Sequence, residues 1–222
     1  MKRLFVILSS FFLVSFASYA QKQEPAKNEV AEEELEKTKA PFFESLSLGV
    51  DLVGPVMYKV SDYGDFQASL QANIKGRYLP VVELGYGKAE KNYDDEKVRY
   101  ATGAPFMRIG CDMNILKNKH DDYLLLVGVR YGLTSFDFDT TPLEPKDDIA
   151  GVMTEKCTLQ WFELAFGVDA KVWGPLHMGW SFRYRKRLSI SDCNNKPLYA
   201  PGFGNADGSS QFMALYTIGI HI

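Results

Sequence analysis

The sequence predicts an all-β fold, an eight-stranded antiparallel up-and-down transmembrane β-barrel with long loops at one end and short turns at the other. Three observations point to it. From residue 45 onward, large apolar residues alternate with small or polar ones at period two, segment after segment. The connections between those segments alternate between long and short. The chain opens with an export signal, and no later stretch approaches the run of about 20 apolar residues that a membrane helix needs.

The signal is read over residues 1–20. Lys2 and Arg3 form a basic start, an apolar run follows over 4–16, and Ser18-Tyr19-Ala20 puts small residues at the cleavage position. Removing it takes the formal charge from −3 to −5. A mildly acidic product is not a nucleic-acid binder by bulk charge. Residues 21–44 are rich in Glu and Lys, contain Pro25, and read as a charged periplasmic linker. The β-barrel domain is expected over 45–222.

The first strand is expected over 45–53, with Leu46, Leu48, Val50 and Leu52 against Ser47, Gly49 and Asp51. The second covers 66–74, where Phe66, Ala68, Leu70 and Ala72 oppose Gln67, Ser69, Gln71 and Asn73. The third covers 78–87, where Val82, Leu84 and Tyr86 oppose Glu83, Gly85 and Gly87. The fourth covers 106–115, where Met107, Ile109, Cys111 and Met113 oppose Arg108, Gly110, Asp112 and Asn114. The fifth covers 123–136, with Val127, Val129 and Tyr131 against Gly128, Arg130 and Gly132. The sixth covers 158–172, with Phe162, Leu164, Phe166 and Val168 against Glu163, Ala165, Gly167 and Asp169. The seventh covers 176–190, with Met178, Trp180, Phe182 and Tyr184 against His177, Gly179, Ser181, Arg183 and Arg185. The eighth covers 212–222, with Phe212, Ala214, Tyr216, Ile218, Ile220 and Ile222 on one face.

Short polar turns are expected over 75–77, 116–122 and 173–175. Longer connections fall over 54–65, 88–105, 137–157 and 191–211. Long loops at one end and short turns at the other are the rule for outer-membrane barrels, and an even strand number brings both termini to the periplasmic end. Eight strands leave little interior room, so the face rich in Gly is expected inside and the large apolar face outside. Aromatic residues near strand ends (Phe66, Tyr78, Tyr86, Phe106, Tyr123, Phe136, Trp161, Trp173, Tyr184 and Phe212) are expected in two interfacial girdles. A soluble periplasmic barrel with the apolar face inward is the alternative.

On this pattern, residues 45–222 resemble the small eight-stranded outer-membrane barrels of the outer-membrane protein A and X type. More closely, they resemble an uncharacterised exported barrel family of Bacteroides-type bacteria. The resemblance implies insertion into outer-membrane lipid by the barrel-assembly machinery. Many such barrels end on Phe or Trp, where this sequence has Ile222.

The inner face is expected to hold a charge network of Asp51, Glu83, Arg108, Asp112, Arg130, Glu163, Asp169, Arg183 and Arg185. Arg108, Arg130, Glu163 and Arg185 share a height of ~11 residues from the turn centres. Buried charges must pair or cost several kcal/mol each. The network is read as a plug, and a narrow ion or solute channel is the alternative. Cys157 and Cys193 lie on loops at the same barrel end in an oxidising compartment and are expected to form a disulfide. Cys111 faces outward as a small apolar residue.

No enzyme is expected. His177 and Ser181 share a face but sit about 13 Å apart along a strand, too far for a dyad. His120 lies in a polar turn beside Asp121 and Asp122. Asp137, Asp139, Asp147 and Asp148 lack the spacing of a calcium loop, and Gly202-Phe203-Gly204-Asn205 lacks the strand–helix context of a phosphate loop. No metal, cofactor or nucleic acid is expected. The role expected is structural, or in surface interaction with a ligand at the loops over 88–105, 137–157 and 191–211. A lipid-modifying enzyme is the remaining rival.

Overall fold

The computed structural model describes residues 42–94, 97–116, 122–143, 151–191 and 193–222. The signal read over 1–20 and the linker up to residue 41 lie outside the described residues, as do His120, Asp121, Asp147 and Asp148.

Alternation at period two gives the backbone one answer: an extended chain whose two faces meet different surroundings. β1 (Phe43–Asp51) is followed by α1 (Val53–Val60), then β2 (Tyr63–Ile74), β3 (Tyr78–Tyr93), β4 (Val98–Asn114), β5 (Tyr123–Pro142), β6 (Met153–Trp173) and β7 (Leu176–Ser191). Two short strands, β8 (Tyr199–Ala200) and β9 (Gly204–Asn205), precede β10 (Ser210–His221). Among the described residues, β1 to β7 and β10 form one antiparallel up-and-down sheet, closed where β10 pairs with β1.

The large apolar face points out. Leu48, Leu84, Ile109, Leu164 and Phe182 are each about half exposed. Glu83, Arg108, Arg130, Glu163 and Arg185 are buried on the opposite face.

Several boundaries differ from expectation. β3 and β4 pair out to Tyr93 and Val98, so most of the expected loop over 88–105 is a strand hairpin. β5 and β6 likewise pair out to Thr140 and Met153. The outward residues there turn polar, which hides a continuing strand from a hydropathy pattern. The expected first loop contains α1. The Asp51 carboxylate accepts from the Val53 and Gly54 amides at 3.2 and 2.8 Å. Pro55 sits in the first turn, where no intrahelical donor is required.

Phe106, Phe136 and Trp161 are not girdle residues. They are 3%, 2% and 0% exposed, inside the barrel. Each has the strand parity of a buried charge: Arg108, Arg130 and Glu163. Inward glycines make the room, since a Cβ at Gly132 would fall 2.1 Å from the Trp161 ring. Phe66, Tyr78, Tyr86, Tyr123, Trp173 and Phe212 do face outward and are exposed.

The connection over 191–211 is not an exposed loop along its whole length. It folds into the long-loop mouth, where β8 pairs with β9. Ala200, Phe203 and Ala206 are fully buried there against Phe106, Phe136, Leu159 and Trp161. Gly202 allows the insertion. Its φ is +75°, and a Cβ would lie 2.3 Å from the Phe106 ring. Gly202→Ala should cost at least the about 1–2 kcal/mol of a left-handed residue. The expected result is faster proteolytic cutting within 191–211 while the barrel stays folded. Unchanged cutting would contradict the packing described.

Candidate functional site

The barrel interior is the candidate site, and it has three layers. At the long-loop end lies the apolar layer just described. The middle layer is ionic. At the short-turn end is a polar space of about 90 Å³, bordered by Ser69, Gln71, Asp112, Ser181 and Thr217 among others.

Sheet register builds the ionic layer. Glu83 stands opposite Arg108, and Glu163 stands opposite both Arg130 and Arg185. Glu83 accepts from Arg108 Nη1 at 2.7 Å and Arg130 Nε at 3.0 Å. It also reaches across the lumen to Arg183, whose Nη1 and Nη2 lie 2.7 and 2.8 Å away. That two-pronged contact is the strongest geometry available to a guanidinium–carboxylate pair. Glu163 accepts from the Trp161 indole at 2.7 Å and has Arg108 Nε and Arg185 Nε at 3.1 and 2.9 Å. Asp112 takes Arg130 Nη2 and the Gln71 amide, both at 2.8 Å.

Backbone carbonyls of the inserted connection take part too. Arg108 donates to Gly202 O at 3.3 Å and Arg185 donates to Phe203 O at 3.0 Å. Arg187 donates to Ala206 O at 2.6 Å. The connection is thus held by apolar packing from one side and by guanidiniums from the other.

Two expected members stand apart. Asp51 is buried, but its carboxylate caps α1 and accepts from the Tyr216 amide at 3.2 Å. Asp169 lies near the short-turn end, bonded to His177 Nδ1 at 2.7 Å. Parity puts both residues inside, but their partners lie outside the ionic layer. Arg130 also turns away from its register partner Glu163 toward Glu83 and Asp112. Glu163 is already shared by Arg108, Arg183 and Arg185.

Sequence reasoning missed Asp65 and Tyr199. Asp65 belongs to β2, not to a loop, and accepts from the Tyr199 hydroxyl at 3.0 Å. It is close enough to Arg185 and Arg108 to interact with both. The Tyr199 carbonyl accepts from the Tyr100 hydroxyl at 2.6 Å. Burial, with Asp65 beside it, pushes the Tyr199 phenol up. A signal was present in the run from Tyr199 to Phe203, which is too apolar for a solvated loop.

Cys157 and Cys193 form a disulfide, Cα atoms 5.0 Å apart, tying the start of the inserted connection to β6. Nearby, on the outer surface, Asp207 pairs with Lys196 at 2.7 Å, and that bond holds its carboxyl below the usual range. Cys111 is a free, half-buried thiol on the outward face.

One cluster offers metal donors. Nitrogen and oxygen atoms of Asp169, His177 and His221 lie within 4.8 Å of one another. The two imidazole rings are stacked 3.5 Å apart and nearly parallel. Their in-plane lone pairs therefore lie in separate parallel planes and do not converge on one ion as tetrahedral coordination requires. In this arrangement the cluster is an Asp169–His177 hydrogen bond with the His221 ring stacked on His177.

The family described as Domain of unknown function (DUF6048) matches residues 1–222, and the chain belongs to that family. No curated protein matches it. Among solved structures, it is similar to a crystal structure of a major outer membrane protein from Thermus thermophilus. The identity is 12% over 80% of this chain and 98% of that one, with a TM-score of 0.43.

Glu83 accepts hydrogen bonds from three guanidiniums at once. Glu83→Gln should remove one of the three carboxylates they share and destabilise the barrel by about 3–5 kcal/mol, the range for breaking a buried pair from one side. Glu90→Gln removes an exposed partner of Arg99 and should leave stability unchanged. Thermal unfolding of the two variants in detergent checks the contrast. Equal midpoints would contradict the assigned role of Glu83.

Proposed function

We propose that the chain is a small outer-membrane β-barrel of a Gram-negative cell envelope, with a structural or surface-interaction role and a lumen plugged by its own side chains. One observation carries this reading: the closed barrel is inverted, with its charges inside and a continuous apolar belt outside. Val50, Leu70, Val82, Ile109, Val129, Phe166 and Phe182 are all exposed on that belt. Soluble monomers rarely expose so large an apolar surface. Along β5 the outward apolar run from Tyr123 to Leu133 covers roughly 33 Å of strand, or roughly 25 Å of height at the usual tilt, which matches a bilayer core.

The partners this implies are outer-membrane lipid and the barrel-assembly machinery. The export signal read over 1–20 supports the same location. With the short turns at the periplasmic end, the β3–β4 and β5–β6 hairpins reach past the belt to the outside. The first presents Lys88, Glu90, Lys91 and Arg99 beside Tyr58 in a shallow groove suited to contact with an extracellular ligand. We infer no catalytic role, because the guanidiniums and carboxylates of the lumen are engaged with one another. The plug reading rests on the ionic layer and the inserted connection, which both cross the lumen.

Membrane fractionation followed by planar-bilayer recording tests the proposal. The protein should remain with membranes, migrate differently on gels when unheated, and give no stable conductance steps. Soluble protein without detergent would overturn the membrane reading. Large, stable single-channel steps would instead favour a channel.

A further inference from the structure

The wall of the barrel is incomplete on one side. β1 pairs with β10 only from Ser47 opposite His221 to Asp51 opposite Thr217. It pairs with β2 only as far as Val50 opposite Ala68. One more bond follows, from the Leu52 amide to the Tyr216 carbonyl at 2.9 Å, and the chain then turns into α1. β10 continues upward from Leu215 to Ser210 with β7 on one side alone. β2 continues from Gln67 to Tyr63 with β3 on one side alone. Their free edges face each other across a gap that β1 is too short to fill.

α1 packs mainly on the β2 side of that gap. Two glycines allow it to sit there. A Cβ at Gly64 would fall 2.6 Å from Tyr58 Cβ, and one at Gly54 would fall 1.7 Å from the Asp65 carbonyl. The Tyr58 and Phe66 rings also meet edge to face, 5.5 Å apart. Between α1 and β10 a cleft of about 410 Å³ remains open, within the size range of small-molecule pockets. Val53 and Met57 line it from the helix. Phe212 and Ala214 line it from the outward face of β10, and Met213 and Leu215 from the inward face. A cleft bounded by both faces of one strand passes through the wall. Its inner end reaches Tyr199 and Gly204 of the inserted connection, and Lys91 stands on its lining.

We propose that this cleft binds the hydrocarbon chain of a membrane amphiphile, taken sideways from the surrounding bilayer. The inference rests on the membrane reading above. The chemistry of the lining selects the ligand. Phe212, 84% exposed, opens the cleft onto the belt, so a chain enters without crossing water. Met57, Val53, Met213 and Leu215 offer it apolar contact, methionine adapting to an irregular fit. Unpaired strand edges are costly in hydrocarbon, and a polar head at this height can hydrogen-bond to them. Lys91 stands on the lining with the carboxylates of Asp51 and Asp65, so the polar contacts of a head group are of both signs.

Photolabelling tests this. The full chain is reconstituted in phosphatidylcholine vesicles and irradiated with a diazirine-bearing fatty acid in one arm. In the other arm, phosphatidylglycerol carries the same chain. Adducts at Met57 and Met213, within the wall, are expected in addition to belt adducts at Leu84 and Ile109. The arm that yields them identifies the source as free fatty acid or membrane lipid. Ala214→Trp, which fills the mouth from the outward face, should abolish the wall adducts and spare the belt. Belt adducts without wall adducts in either arm would overturn the inference, as would wall adducts that persist in Ala214→Trp. So would a dimer joined through the free edge of β10. Loss of the belt adducts themselves would refute the membrane reading, and this inference with it.

Discussion

The structure depends on burying several guanidiniums in a space too narrow for bulk water. Arg108, Arg130, Arg183 and Arg185 are each 5% exposed or less. An ion buried alone costs several kcal/mol, so each must meet carboxylates in place. Glu83, Glu163 and Asp112 do this only if the register of every strand pair from β3 to β7 is right at once. A slip of one residue in any of these strands would turn its charge outward and its apolar row inward. The ionic layer therefore specifies register as well as filling the lumen.

The same requirement explains the inserted connection. Carboxylates alone leave donors of Arg108, Arg185 and Arg187 to be satisfied, and the carbonyls of Gly202, Phe203 and Ala206 accept from them. Those carbonyls come within reach because Phe203 and Ala206 pack on Trp161 and its neighbours. Apolar and ionic layers thus hold each other. The Cys157–Cys193 bridge and the Tyr199–Asp65 bond fix the path of the chain between them.

Strand parity was legible in the sequence almost everywhere, because outward rows of Leu, Val, Ile and Phe contrast sharply with inward rows of Gly and single charges. Partners were less legible. Asp51 and Asp169 have inward parity but bond to groups outside the ionic layer, and no local pattern encodes that. Strand ends were hidden for a different reason. Beyond the belt the outward face of a strand turns polar, so the hairpin from Lys88 to Arg99 reads as loop. Phe106, Phe136 and Trp161 were misplaced because aromatic residues near strand ends suit both a girdle and a capped mouth. The deciding fact, a connection folding back over them, lies about 40 to 100 residues away in the chain. The short first strand, and with it the gap in the wall, depends on where Asp51 ends one element and caps the next.

In the proposed inverted barrel the apolar belt meets lipid and the charges of the ionic layer stay inside, away from it. Spin labels at Leu84, Ile109 and Val129 in reconstituted vesicles test it most directly, with exposed Glu90 on the outer hairpin as the control. Collision rates with oxygen should be high at the three belt positions, and rates with a water-soluble nickel chelate low, with the reverse at Glu90. High nickel access at Leu84, Ile109 and Val129, equal to that at Glu90, would contradict the account.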